Sequence, residues 1–104
     1  MKKVTVLRLS GCSYCEELVE KLDKENIEYT SLDANKNGAL ADEVEELLDT
    51  DLYPITILEI EGLSPFFLFR AETYDEVGEA VVGNAVKVGV SSIDSMVYTL
   101  LKLI

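Results

Sequence analysis

Residues 3–9 alternate apolar and polar positions, with Val4, Val6, Leu7 and Leu9 as the apolar set, and this predicts a strand buried on at least one face. A helical pattern takes over at 13–25, where Cys15, Leu18, Val19 and Leu22 fall at i, i+3, i+4 and i+7 and share one face. Alternation returns over 27–32 through Ile27, Tyr29 and Leu32, a second strand. Asn35 to Gly38 form a turn cluster. Leu40, Val44, Leu47 and Leu48 then make the stripe of a second helix, with Asp42, Glu43, Glu45 and Glu46 facing water. Pro54 opens a β-rich run from Ile55 to Ile60, Gly62 to Pro65 turn the chain, and Phe66-Phe67-Leu68-Phe69 reads as a buried core strand pairing back onto that run. Ser91 and Asp94 have capping-box spacing, with Asp in the usual place of Glu. Ile93, Met96, Val97, Leu100, Leu101 and Ile104 continue as the apolar face of a last helix.

Residues 71–90 admit two readings. Thr73 and Glu76 fit the cap of a short helix through Val82. Alternatively, Ala80-Val81-Val82 and Ala85-Val86-Lys87-Val88 form a hairpin around a Gly83-Asn84 turn, the reading preferred for 80–88. The remaining order, β-α-β-α-β-β-α, predicts an α/β fold in one domain over residues 1–104. Its first two strands should be parallel with a right-handed crossover, and its later strands a hairpin. The expected sheet is mixed, of four strands or five, and flanked by helices.

Composition narrows the function. The chain has 104 residues and a net charge of −11, from 20 acidic and 9 basic residues. That balance disfavours nucleic acid or an anionic membrane as partner, because both select a positive surface. It reads either as a device for solubility or as a match for a partner with a basic face. No apolar run approaches the roughly 18 residues of a membrane span. The start, Met1-Lys2-Lys3 followed by an interrupted apolar stretch, does not fit a secretory signal. The expected location is cytoplasmic. Histidine is absent, which removes the commonest metal ligand and His-based activation of a nucleophile.

The only two cysteines stand in Cys12-Ser13-Tyr14-Cys15, between the first strand and the first helix. In a cytosolic protein such a pair is catalytic or metal-binding more often than a structural staple. A helix start offers unpaired N–H groups and the positive end of the peptide dipole, and both favour the thiolate. Cys12 precedes the helix body and should be exposed, whereas Cys15 lies on the buried stripe. A structural zinc site takes four N or S ligands, and this chain offers two thiols and no imidazole. No resident metal or bound cofactor is expected on the leading reading.

The element order, Cys12-Ser13-Tyr14-Cys15 and Tyr53-Pro54-Ile55 together resemble the thioredoxin fold, and glutaredoxins in particular. The cysteine motif is close to the family's Cys-Pro-Tyr-Cys, and Pro54 stands where the family carries a cis-proline facing the dithiol. The resemblance spans roughly residues 3–70 and the last helix. It implies a thiol–disulfide oxidoreductase acting in electron transport and cell redox homeostasis. Cys12 would be the nucleophile and Cys15 the resolving thiol, with Ser13, Tyr14, Tyr53 and Pro54 contacting substrate. Residue 53 would offer a backbone edge for strand-like pairing. The implied substrates are protein disulfides or glutathionylated thiols, the implied electron source is glutathione or a reductase, and the implied state is a monomer. The chain departs from the family at Leu9, where glutaredoxins usually carry a lysine, and a smaller lowering of the Cys12 pKa is expected for that reason. The Gly-Gly-Asp segment that follows the fourth strand in the family has no clean counterpart. Two other readings remain open: a dimeric glutaredoxin-like carrier of an iron–sulfur cluster, and a non-catalytic interaction module with an inert dithiol.

Overall fold

Val4, Thr5, Val6 and Leu7 are all buried, so the strand that holds them, β1 (Lys2–Arg8), is covered on both faces. The computed structural model, which describes residues 1–104, places β1 inside a mixed sheet. The chain continues through α1 (Ser13–Lys24), β2 (Thr30–Asp33), α2 (Gly38–Leu48), β3 (Ile55–Ile60) and β4 (Phe66–Arg70). A 3₁₀ turn at Tyr74–Glu76 leads into β5 (Gly78–Val82), β6 (Ala85–Val90) and α3 (Ile93–Leu103). The strand order is β2-β1-β3-β4-β6-β5. β1 runs parallel to β2 and antiparallel to β3, and β3 and β4 form an antiparallel pair. This is the expected thioredoxin-like arrangement.

Two apolar clusters hold the layers together. Val4, Val6 and Leu58 meet Leu18 and Leu22 of α1 and Met96 and Leu100 of α3. Leu7, Ile55, Ile57 and Phe69 meet Ala41, Val44 and Leu48 of α2. Alternation along β1 sends Val4 and Val6 to one cluster and Leu7 to the other, as a two-residue side-chain period requires. α1 and α3 are also joined by Lys21 and Asp94, whose charged atoms lie 2.7 Å apart. That hydrogen bond, and the negative charge of Asp94 behind it, raise the pKa of Lys21.

Three details differ from the sequence reading. The sheet has six strands rather than four or five, because the hairpin preferred for 80–88 forms, extends over residues 78–90, and adds both of its strands to the sheet. Its turn places the positive φ on Gly83, the first central residue, as a type II′ turn demands. β6 inserts parallel to β4 and leaves β5 at the edge, so the β4–β5 connection must pass the end of β6. The Ala71 N–H bonds the Val90 carbonyl at 2.8 Å, and the Glu76 carbonyl lies directly over Gly89, where any Cβ would collide with it. Second, the cap of α3 is Ser92, not Ser91: its hydroxyl accepts the Ser95 N–H at 3.1 Å. Asp94 is left free to reach Lys21. Third, Glu45 does not simply face water but accepts a hydrogen bond from Tyr53 at 2.6 Å.

Candidate active site

β1 ends at Arg8, and the chain turns through Gly11, whose φ of +77° suits a residue without Cβ. This turn delivers Cys12 to the start of α1 in extended conformation, as its N-cap. The cap is made by sulfur: the Cys15 N–H donates to Cys12 Sγ at 3.2 Å. Cys12 and Cys15 are paired as a disulfide, with Cα atoms 5.2 Å apart, inside the usual range for such a bond. Cys12 is half-buried, whereas Cys15 is 0% exposed. Cys15 shares its helix face with Leu18 and Leu22, yet it packs against the α2-side cluster, with Leu7, Tyr53, Ile55 and Phe69.

The loop before β3 comes up against the sulfurs. The Tyr53–Pro54 peptide bond is cis, and the Tyr53 carbonyl oxygen lies 3.8 Å from Cys12 Sγ. The Tyr53 ring is 4% exposed, and its hydroxyl donates to Glu45 Oε2. Burial of the ring, reinforced by that bond and the nearby negative charge, drives the phenol pKa well above its usual value near 10. Tyr53 therefore offers the dithiol its backbone, while its side chain anchors the loop to α2. Pro54, in the same loop, is buried as well.

Of the other residues singled out in the sequence, Ser13 is exposed at the first position of α1, and Tyr14 is 48% exposed beside it. The structure thus brings Cys12, Cys15, Tyr14, Tyr53 and Pro54 to one end of the sheet, with Ser13 on the rim. One residue at this end escaped sequence reasoning. Arg70, the last residue of β4, donates from Nη2 to the Tyr53 carbonyl at 3.0 Å and lays its guanidinium 4.1 Å from the centre of the Tyr14 ring. The only signal for it was a cation ending an apolar run in an acidic chain. No group of three or more Cys, Asp or Glu side chains converges as a metal-ligand set.

A shielded thiol and an accessible one, bonded at a helix start and facing a cis-proline loop on a thioredoxin-like sheet, define a protein with thiol–disulfide oxidoreductase-like chemistry. Comparison with known families matches residues 4–58, more than half of the chain, to the family described as Glutaredoxin. The chain belongs to the glutaredoxin family. No curated protein matches it. No helix is long and apolar enough to cross a membrane.

Proposed function

We propose that residues 1–104 act as one cytoplasmic, monomeric domain that reduces disulfides by exchange through two cysteines. The observation that carries this reading is the asymmetry of the pair. Cys12 is reachable from solvent and held by a backbone N–H, and Cys15 is sealed in the core one helical turn on. In the reduced protein the Cys12 thiolate attacks one sulfur of a substrate disulfide and expels the other as a thiolate. Cys15 gives up its proton and attacks Cys12 in the mixed disulfide, releasing the second substrate thiol. The substrate gains two electrons, and the protein is left with the Cys12–Cys15 disulfide.

No resident cofactor is needed. Glutathione or a reductase outside the protein returns the electrons. The Tyr53 backbone and Pro54 serve as the docking edge, and Ser13 and Tyr14 as the rim. Cys12 attack on either a protein disulfide or a glutathionylated thiol uses the same geometry. The two substrates differ in whether Cys15 is required.

The test is reduction of a protein disulfide and of a glutathionylated protein by wild type, Cys12→Ser and Cys15→Ser. Loss of protein-disulfide activity in both variants is the expected result. Retention of deglutathionylation in Cys15→Ser would make glutathione a working partner. No activity on either substrate would overturn the proposal, and visible absorbance of anaerobically reconstituted protein would then point to a carried iron–sulfur cluster.

A further inference from the structure

Arg70 forms no ion pair within the protein. The chain has 20 acidic residues, yet none lies within ion-pair distance of this guanidinium. Its side chain is half-buried, and its Nε is shut off from solvent with no hydrogen-bond partner. Holding a cation partly out of water without an anion is unfavourable, and such a group gains most from an anion that arrives beside it. The contacts that fix it are neutral ones, the Tyr53 carbonyl and the face of Tyr14. The same Tyr53 carbonyl oxygen is the one beside Cys12 Sγ.

When the disulfide is reduced, an anion forms next to that carbonyl. We propose that Arg70 is a positioning residue that poises Cys12, its guanidinium being held by Tyr53 and Tyr14 as the electrostatic partner of the Cys12 thiolate. This rests on the reading of Cys12 as the attacking thiol. It also replaces the expectation drawn from Leu9: the cation is supplied from the end of β4 instead of from the turn before the cysteines.

The other ionisable groups around the dithiol do not compete for this role. Glu16, on the first turn of α1, is exposed and of the wrong sign. Glu45 of α2 is committed to the Tyr53 hydroxyl, and Asp42 of α2 and Asp51 in the loop before Tyr53 are exposed. Glu72, beyond Arg70, is exposed, and its N–H is bonded to Glu76. Arg8, at the end of β1, is the other nearby cation in sequence. Its charge acts on Tyr29, the residue before the edge strand β2.

The test is the pKa of Cys12 in reduced protein carrying Cys15→Ser, so that a single thiol titrates. It is read from thiolate ultraviolet absorbance and from the pH dependence of alkylation. Adding Arg70→Gln should raise the Cys12 pKa by about one unit or more. Alkylation near neutral pH should slow by about fivefold to tenfold. Arg70→Lys should restore most of the shift. Arg70→Met, which keeps the packing of the stem, is the second neutral variant should Arg70→Gln fail to fold.

An unchanged Cys12 pKa in a folded neutral variant would overturn the inference. If those variants instead only raised KM for carboxylate-bearing substrates, the anion that Arg70 awaits would belong to the substrate and the inference would again fall. A pKa shift in a protein inert in every exchange assay would support the inference while refuting the proposed activity. Normal exchange with no pKa shift would do the reverse.

Discussion

Two of the three helices begin with the same device and do different things with it. α1 and α3 are each capped by a side chain that accepts the N–H three residues on, at 3.2 Å from Cys12 Sγ and at 3.1 Å from Ser92 Oγ. At α3 the acceptor is a hydroxyl, which stays protonated at every physiological pH, and the cap stabilises the helix and nothing more. At α1 the acceptor is a sulfur that can ionise, so the same N–H and dipole also favour its charged form. The end of the sheet then adds what the Ser92 site lacks: a buried second thiol, a cis-proline loop and a guanidinium. On the proposed function, the reactivity of Cys12 is ordinary helix capping applied to a titratable atom, in a place where other elements can exploit it.

The comparison breaks most sharply at Cys12 itself. Cys12→Ser should take disulfide exchange to background. Under reducing conditions it should change stability by no more than about 0.5 kcal/mol, because serine is itself a favoured cap. Cys12→Ala should be equally inactive but about 1 kcal/mol less stable, which separates the cap from the chemistry. Urea unfolding of the two variants beside an exchange assay reads both quantities.

A second break lies away from the dithiol. Gly89→Ala would drive a methyl group into the Glu76 carbonyl, with the Phe69 ring 3.2 Å away on another side. A destabilisation of about 1–3 kcal/mol is expected, since the obstacle is backbone. Denaturant midpoints measure it, and the Cys12 pKa should not move. Ser92→Ala sharpens the contrast from the α3 side. It should cost about 1 kcal/mol in unfolding experiments and leave exchange rates at the wild-type level.

The smallest effect concerns the anchor of the loop. The folded-state pKa of Tyr53 is raised, so the stability that its neutral hydroxyl contributes is fully present below the unfolded value of about 10 and is lost as pH rises above it. Tyr53→Phe should lower stability at neutral pH by about 1 kcal/mol. The difference from wild type should shrink as the solution is taken above about pH 10. Thermal unfolding of both proteins across that range is the check.

Much of this molecule is legible from periodicity alone. The stripe Cys15-Leu18-Leu22 and the alternation of Val4 and Val6 in β1 report their burial directly, because each follows from spacing within one element. The dithiol was legible for the same reason: its two cysteines are close in sequence. What escaped depends on which elements become neighbours. Arg70 and Tyr53 are 17 residues apart in the chain, and only the β3–β4 pairing and the cis-proline loop bring them together. Glu45 flanks the apolar stripe of α2, and nothing in its own segment says that Tyr53 will reach it. The Gly83-Asn84 turn announced a hairpin, but a turn cannot say that β6 will slot beside β4 and leave β5 outside. Ser91 and Ser92 are adjacent hydroxyls, and spacing chose the wrong one by a single residue.

The most direct test of the account is a timed alkylation of fully reduced protein, with each cysteine followed by mass spectrometry across pH. Cys12 should be modified first, with a pKa below the free-thiol value of about 8.5, and Cys15 should stay protected until the protein unfolds. Equal rates at the two positions, or a Cys12 pKa at or above that value, would contradict the assignment of Cys12 as a capped and activated nucleophile.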